Sequence, residues 1–409
     1  MVRSMLFALL VTLAFGSESI VQAQEQAASQ APPSVLTGID VLQRDDFRQL
    51  AGRNVGLITN HTGLNQAGVS TVELLHAAQP VNLVALFSPE HGFAGKLDTA
   101  KIGDAQDQGT GLKIHSLYGE TRAPTAESLQ GIDTLVFDIQ DIGTRFYTYI
   151  STMGNAMKAA AEHDIRFVVL DRPNPIGGVE VQGPVLDIGS ESFVGFHPLP
   201  VRHGMTAGEL ARMFNAELKF DLDLEVITVE GWRRGEFFDA TGLVWTNPSP
   251  NMRSLTQAHL YPGIGLLETT NISVGRGTDT PFEVIGAPWI EPRVLAHELN
   301  SAALPGVRFV PIRFTPNDSK FKDQPCGGIN FVVTNRETFD PLATGFTVAV
   351  TLRRLYPTDW DTASLNRLLA HAETRDAILD GKSVAEILKG YEAGLQSFKS
   401  RRAAYLIYD

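Results

Sequence analysis

The sequence has no second cysteine: Cys326 is the only one among 409 residues. An intramolecular disulfide is therefore impossible, and packing must stabilise the fold. After the N-terminal segment, no stretch approaches the roughly 20 apolar residues of a membrane-spanning helix. Lys and Arg total 34 against 46 Asp and Glu, a net charge of −12. This acidic balance disfavours nucleic acid and anionic membrane surfaces as partners.

Standard cofactor and catalytic motifs are also missing. The chain contains no phosphate-binding P-loop, no HExxH and no G-x-S-x-G. Gly275-x-Gly277 lacks the third glycine of a dinucleotide-binding motif and follows no clear strand. The ten histidines do not form paired metal-ligand spacings. We therefore expect neither a cofactor nor a metal site.

The N-terminus has the pattern of a signal peptide. Arg3 precedes an apolar run over residues 5–15, and Val21-Gln22-Ala23 resembles a cleavage site. Cleavage after Ala23 would make 1–23 the signal peptide and leave 409 − 23 = 386 residues. The alternative is an uncleaved anchor. Residues 24–35 are rich in Ala, Gln, Ser and Pro, which is typical of a linker. We expect export, to the periplasm or the medium.

Strands and helices alternate in the first half of the chain. The apolar pattern predicts strands at 54–59, 82–87, 113–117, 133–139 and 165–170, and helices at 69–78 and 147–163. Thr206 and Glu209 form a capping box at a further helix start. Apolar strands that alternate with helices indicate a parallel sheet covered on both faces. The fold class is therefore α/β.

The character of the sequence changes near Asn247, where we place a boundary between domains at 36–247 and 248–409. Pro248, Pro250 and Pro262 and the glycines of 263–277 predict a loop-rich region there. The C-terminal part has strand patterns at 307–312 and 329–334. Its helical patterns cover 292–300, 365–372 and 384–405.

Polar residues follow three of the predicted strands, in segments 88–92, 138–147 and 171–175. Ligands bind beyond the carboxyl ends of strands in open parallel sheets. The alternative is that these residues form turns and salt bridges between neighbouring loops. Three such loops at one sheet edge favour a ligand site.

Glu90 is the leading catalytic candidate. Apolar and proline neighbours would desolvate its carboxylate and raise its pKa, as a general acid requires. His91 could tune Glu90 or be structural. Asp138 and Asp141 form a second acidic pair, and Arg145 and Tyr147 could orient a polar ligand.

Further candidates for ligand binding lie in three later loops. Arg202 and His203 precede a helix N-terminus, which can attract an anion. The proline-rich loop 248–253 and the glycine-flanked segment 268–282 concentrate polar side chains. These candidates are Asn251, Arg253, Glu268, Asn271, Arg276 and Asp279.

Five motifs in order resemble the NamZ family of exo-acting β-N-acetylmuramidases. They occupy residues 88–92, 138–149, 171–175, 202–206 and 273–278, and the match extends from about Gly38 to the C-terminus. The resemblance implies a Rossmann-like N-terminal domain, a smaller C-terminal α/β domain and a cleft between them. It implies release of N-acetylmuramic acid from the non-reducing ends of peptidoglycan fragments, with muropeptides or disaccharides as substrates. It also implies that Glu90 is the catalytic residue.

Two parts of the site stay open at this point. Most glycosidases use two carboxylates, and the second could be any of Asp138, Asp141, Glu268, Asp279 and Glu283. Alternatively, the N-acetyl oxygen of the substrate could attack. A cation should face the lactyl carboxylate of N-acetylmuramic acid. The candidates are Arg145, Arg202, His203, Arg253 and Arg276.

A non-catalytic protein is the rival interpretation. Two α/β domains around a cleft, in an exported acidic chain, also describe a protein that binds muropeptides without cleaving them. An exported peptidase or esterase ranks last because no nucleophile motif is present.

Overall fold

The computed structural model describes residues 35–99 and 101–409. The predicted signal peptide, 1–23, and nearly all of the predicted linker, 24–35, lie outside the described residues. Val35 is the exception, since it is buried against Val229 and Trp232. The described part of the chain therefore begins inside a packed region.

A parallel sheet forms the N-terminal half. Its strands are β1 (Asn54–Thr59), β2 (Asn82–Ser88), β3 (Ala105–Gln106), β4 (Lys113–Ser116), β5 (Thr134–Asp138), β6 (Arg166–Leu170) and β9 (Leu224–Ile227). Across the described residues their order is β3-β4-β2-β1-β5-β6-β9. All neighbours are parallel except β3 and β4. Without the short edge strand β3, this is the Rossmann strand order, which reverses between β1 and β5.

Alternate side chains of each strand enter different hydrophobic clusters, as a sheet covered on both faces requires. In β1, Val55 and Leu57 join one cluster, whereas Ile58 joins the other. The helices of this half are α1 (Gly38–Arg44), α2 (Thr71–Ala77), α3 (Tyr149–Glu162) and α4 (Ala207–Glu217). α4 begins with the predicted capping box of Thr206 and Glu209. A short antiparallel pair, β7 (Gln182–Val185) and β8 (Pro200–Arg202), precedes α4.

The C-terminal half has an antiparallel sheet in the order β10-β12-β11. Its strands are β10 (Val284–Ala287), β11 (Val307–Phe314) and β12 (Cys326–Val333). Its helices are α5 (Leu255–Ile264), α6 (Pro292–Ser301), α7 (Pro341–Leu355), α8 (Asn366–Leu369), α9 (Ala372–Leu379) and α10 (Val384–Arg402). The α/β fold class and the Rossmann-like sheet are confirmed.

Several elements differ from the sequence-based expectations. The predicted helix at 365–372 is the shorter helix α8, because Ala370 has a left-handed backbone (φ 47°) that ends it. The next helix, α9, begins at Ala372 and was not predicted. The segment expected to be loop-rich contains α5 and a 3₁₀ helix, Gly265–Thr269. The predictions also omit α7. α5 and α7 were not predicted because glycines, which are poor helix formers by local propensity, lie where the two helices pack closely together.

α5 and α7 contact each other through glycines. A Cβ atom on Gly263 would lie 1.8 Å from the carbonyl oxygen of Pro341, and one on Gly345 would lie 2.6 Å from that of Gly263. These glycines therefore permit the two helix backbones to approach, and they do not mark loops. This contact fixes α5, whose C-terminal end leads into the functional site.

Candidate functional site

A cavity of about 660 Å³ lies between the two halves of the chain. The N-terminal half supplies residues that follow β2, β4 and β5 and a loop between β7 and β8. The C-terminal half supplies residues from the loop before α5, from α5, from the 3₁₀ helix after it, from loops near 276 and 320, and from α8. The cleft implied by the family resemblance is therefore present at the carboxyl ends of the parallel strands.

Glu90 lies in this cavity, in the turn that follows β2. Thr148, at the start of α3, donates a hydrogen bond to Oε2 of Glu90. His91 adopts a left-handed backbone (φ 70°) and directs Nδ1 to the carbonyl oxygen of Leu97 at 2.8 Å. The turn thus places the carboxyl group at the cavity wall and ties the His91 ring to its own loop.

Tyr118, which follows β4, lies in the cavity near the Glu90 carboxyl group. Burial and the proximity of Glu90 raise the pKa of Tyr118 to about 12. Its phenol therefore stays protonated at neutral pH and can donate to Glu90. The guanidinium of Arg122 lies 4.8 Å from the Tyr118 ring centroid and 4.0 Å from that of Phe193. This cation–π stack joins the 118–122 loop to the β7–β8 loop at one edge of the cavity.

The C-terminal half contributes a second carboxyl group, Glu268. Its Oε1 lies 2.5 Å from Nε of Arg276, and Nη1 of Arg276 lies 3.2 Å from Oδ2 of Asp98. Burial opposes the charge of Arg276, but Glu268 and Asp98, with Glu90, hold the pKa of its guanidinium above the usual value. Lys320 donates to the main-chain carbonyl of Glu268. Arg276 therefore lies in the field of both cavity carboxylates.

Three tyrosines form an aromatic wall beside Glu90. The Tyr147 ring lies 4.9 Å from that of Tyr149 and 5.9 Å from that of Tyr261, both edge to face. The Tyr149 hydroxyl donates to the carbonyl oxygen of Pro248 at 2.5 Å. Burial, together with the charge of Asp141, raises the pKa of Tyr147. Such a wall offers apolar ring faces and neutral hydroxyls to a sugar.

The structure brings six of the predicted site residues to the cavity. They are Glu90, His91, Tyr147, Asn251, Glu268 and Arg276. Asn251 donates to Oδ2 of Asp98 at 2.9 Å, which connects it to Arg276. The other eight predicted residues do not line the cavity.

Asp138 is buried in an ion pair beneath the sheet edge. Its two carboxylate oxygens accept from Nε and Nη2 of Arg172 at 2.5 and 3.0 Å, and Thr71 donates to it as well. Its partners lie at the start of α2 and directly after β6. Asp138 therefore acts as a structural anchor between β5, β6 and α2.

Asp141 and His203 form a second buried pair away from the cavity. Oδ2 of Asp141 accepts from the Gly143 amide at 2.7 Å and lies 3.7 Å from Nε2 of His203. Burial raises the pKa of Asp141 to about 7. Burial, with nearby Arg402 and Arg145, lowers the pKa of His203 to about 3. His203 is therefore neutral and unsuited to bind an anion.

Arg145 and Arg202 are buried and bind main-chain oxygens. Nη1 of Arg145 donates to Pro184 and Leu199 at 3.1 and 2.8 Å, and Nη2 donates to Leu368 and Leu369 at 2.8 and 2.7 Å. Arg202 donates to the side-chain oxygen Oε1 of Gln182 at 2.9 Å and to the main-chain carbonyl oxygen of Ile176. Both guanidinium groups are engaged within the fold.

The remaining three predicted residues lie on outer loops. Arg253 is exposed and donates through Nε to the Pro250 carbonyl at 2.8 Å. Asn271 bridges to the 359–361 loop, with Nδ2 2.7 Å from the Asp359 carbonyl. Asp279 is exposed. Their loops approach the cavity, but their side chains do not line it.

The sequence analysis missed several cavity residues. Tyr118 directly follows the predicted strand at 113–117, so the strand-end rule could have found it. Thr148 and Tyr149 lie inside the quoted 138–149 motif. No sequence signal marked Arg122, Phe193, Lys320 or Arg367, because their loops meet the cavity only through tertiary packing.

The described residues contain no group of three or more His, Cys, Asp or Glu side chains placed to hold a metal ion. Among the helices of 35–99 and 101–409, none combines the length and apolarity of a membrane span.

A Rossmann-like sheet, a second α/β half and a carboxyl-lined cleft between them define a two-part α/β protein with a candidate glycosidase site. Two family models match the chain: the N-terminal part of exo-beta-N-acetylmuramidase NamZ over residues 55–256 and its C-terminal part over 259–408. The chain therefore belongs to the NamZ family.

Individual relatives agree with this membership. The chain is 46% identical over 413 residues to peptidoglycan beta-N-acetylmuramidase NamZ of Bacillus subtilis (strain 168), covering 99% of this chain and 100% of that protein. Two DUF1343 family proteins from Bacteroides fragilis NCTC 9343 have similar crystal structures. Their TM-scores are 0.86 and 0.74, at 38% and 31% identity, and each match covers 92% of this chain and 99% of the other.

Proposed function

We propose that this protein is an exo-acting glycoside hydrolase that releases N-acetylmuramic acid from the non-reducing ends of peptidoglycan fragments. The whole chain aligns with a B. subtilis relative named for peptidoglycan β-N-acetylmuramidase activity. Glu90 lies in the cavity between the halves, where it accepts a hydrogen bond from Thr148 and lies near Tyr118. This placement of Glu90 is the observation that carries the proposal. Such a reaction belongs to cell-wall turnover.

Glu90 is the general acid in this proposal. Its protonated carboxyl group donates to the glycosidic oxygen as the bond to the anomeric carbon breaks. Thr148 holds the carboxyl group in place, and the tyrosine wall packs against the sugar. Glycosidases gain from a general acid whose geometry is fixed before the substrate arrives.

Glu268 is the leading candidate for the second group. Of the five carboxylates left open by the sequence, it is the one that lines the cavity in the described structure. Its ion pair with Arg276 holds the side chain in position. It can act directly on water or the anomeric carbon, or it can orient the N-acetyl group if that group attacks.

Glu90→Gln should reduce kcat for a chromogenic β-N-acetylmuramide by about 10²- to 10⁴-fold, because the amide cannot donate the required proton. Glu373→Gln is the control, since Glu373 is an exposed carboxylate on α9. Thermal unfolding of both variants verifies folding. Wild-type turnover by Glu90→Gln would refute the assignment.

A defined disaccharide with N-acetylmuramic acid at its non-reducing end tests the function itself. Mass spectrometry should show the two free sugars after incubation with the wild-type protein. Binding without any cleavage would instead identify a non-catalytic muropeptide-binding protein.

We also propose that the protein is exported, since its substrate lies outside the cytoplasm. The positive start, the apolar run and the cleavage pattern ending at Ala23 support this.

A further inference from the structure

Among the described residues, four cationic side chains line the cavity: Arg122, Arg276, Lys320 and Arg367. Two of them already have strong internal partners. Arg276 lies against the carboxylates of Glu268 and Asp98, and Lys320 donates to the Glu268 carbonyl. A ligand carboxylate beside Arg276 would face two like charges, which disfavours binding there.

Arg122 and Arg367 have no carboxylate ion pair within residues 35–99 and 101–409. They nevertheless differ in their surroundings. The guanidinium of Arg122 lies over the rings of Phe193 and Tyr118, and it also contacts the Tyr118 phenol. Arg367 is exposed to the cavity, on α8. Its five guanidinium donors are therefore free to meet a ligand.

α8 is held in place by the buried Arg145 of the N-terminal half. Nη2 of Arg145 donates to the carbonyl oxygens of Leu368 and Leu369, the two residues that follow Arg367. Nη1 donates to Pro184 and Leu199, which flank the loop between β7 and β8. Burial lowers the pKa of Arg145 to about 9, so it remains charged at neutral pH. Arg145 thus fixes the main chain of α8, which carries Arg367, relative to the β7–β8 region of the N-terminal half.

We propose that Arg367 binds the lactyl carboxylate of N-acetylmuramic acid and so selects this sugar over N-acetylglucosamine. The inference rests on the proposed function, because it concerns the substrate of the same cavity. A guanidinium matches a carboxylate with two parallel hydrogen bonds. Ser364, three residues earlier and also at the cavity, can add a hydroxyl donor. Arg145 is a positioning residue for this contact.

The structure favours Arg367 over Arg122 for two reasons. Arg122 is part of an aromatic stack that closes one edge of the cavity, so its guanidinium group is already engaged with two rings. Arg367 has an unengaged guanidinium group on a helix whose main chain is fixed by two hydrogen bonds, so its attachment point is set before a ligand binds.

Arg367→Gln should lower kcat/KM for 4-nitrophenyl β-N-acetylmuramide by about 10- to 100-fold, the usual effect of a charge-assisted hydrogen bond. It should leave kcat/KM for 4-nitrophenyl β-N-acetylglucosaminide, which lacks the lactyl group, unchanged. Arg367→Lys should recover part of the muramide rate. A parallel loss on both substrates would show a structural role and overturn the proposal.

Arg293→Gln is the matched control, since Arg293 is an exposed arginine on α6 outside the cavity. It should change neither rate. Arg122→Gln tests the other free cation: selective loss of muramide turnover there, with none in Arg367→Gln, would overturn the assignment.

Binding of free N-acetylmuramic acid and N-acetylglucosamine, measured by calorimetry, separates this inference from the proposed function. If the wild-type protein cleaves nothing, the hydrolase proposal fails, but a preference for N-acetylmuramic acid that disappears in Arg367→Gln still supports the inference. If the wild-type protein cleaves the muramide and Arg367→Gln keeps the binding preference, only the inference fails.

Discussion

Asp141 shows how burial decides what a motif residue does. Its sequence position beside Asp138, directly after a strand, is what a catalytic carboxylate would have. In the structure it is buried beside the neutral His203, at 3.7 Å, and accepts from the Gly143 amide. Asp138 is also buried, but in an ion pair with Arg172. Glu90, also after a strand, instead faces the cavity.

Asp141 predicts a measurable pH dependence of stability. Burial raises its folded-state pKa to about 7, above the usual value of 3.8. The folded protein therefore holds this proton more tightly than the unfolded chain. The associated stabilisation is fully present below about pH 4 and is lost as pH rises through about 7, at up to about 1.4 kcal/mol per pH unit.

Urea unfolding at pH 5 and pH 7.5 tests this for Asp141→Asn, whose amide oxygen still accepts from Gly143. The variant should lose less stability than wild type between the two pH values. Asp279→Asn, which removes an exposed carboxyl group, controls for net charge. An equal pH dependence in wild type and Asp141→Asn would contradict the expected proton uptake.

At the scale of elements, the central strands of the parallel sheet were predicted well, whereas five strands and the helices α5 and α7 were not predicted. The unpredicted strands are β3, β7, β8, β9 and β10. The strand β1 has the predicted bounds, β5 is one residue shorter than predicted at each end, and β6 is one residue shorter at its start. Their continuous apolar runs are a local signal of a buried parallel strand. α5 and α7 contain glycines at their contact, and glycine is a poor helix former by local propensity. Tertiary packing overrides that preference.

Gly263→Ala tests this explanation. A Cβ would lie 1.8 Å from the Pro341 carbonyl oxygen, so α5 and α7 must separate. We expect a loss of about 3 kcal/mol in the free energy of unfolding. Chemical denaturation measures it.

Gly390→Ala on α10 is the matched control. No heavy atom lies within 4 Å of a Cβ at Gly390. The control should gain about 0.5–1 kcal/mol from helix propensity and reduced unfolded-state entropy. A similar gain in Gly263→Ala would rule out the close contact.

On the scale of the whole molecule, one hydrophobic cluster spans both halves. It includes Phe137 and Phe146 from the N-terminal half and Tyr261, Phe346 and Phe398 from the C-terminal half. The last residues also return to the N-terminal half, where the Tyr408 hydroxyl donates to Asp171 at 2.6 Å. The division at residue 247 stays a prediction. A shared core of this kind keeps the cavity walls in fixed relation.

Export is a prediction at this same scale. A host with a secretion system should produce a protein that lacks residues 1–23, because the pattern ending at Ala23 predicts cleavage there. Intact-mass spectrometry of the exported protein measures this directly. Ala23→Arg replaces the small residue at the cleavage position, so this variant should retain residues 1–23. A full-length wild-type protein in the cytoplasmic fraction would contradict the proposal.

The sequence by itself determined the α/β class, the parallel strands and the position of Glu90 at a strand end, because apolar periodicity and strand-end polarity are local properties. It also identified the family through five motifs. Only the tertiary structure decided which charged side chains face the cavity. Burial and pairing are set by residues far apart in the chain: Arg145 is bound by carbonyl groups at 184, 199, 368 and 369. The same packing brings Glu268, Arg276 and Arg367 to the cavity that contains Glu90. The sequence marked the first two as candidates, but no local pattern marked Arg367.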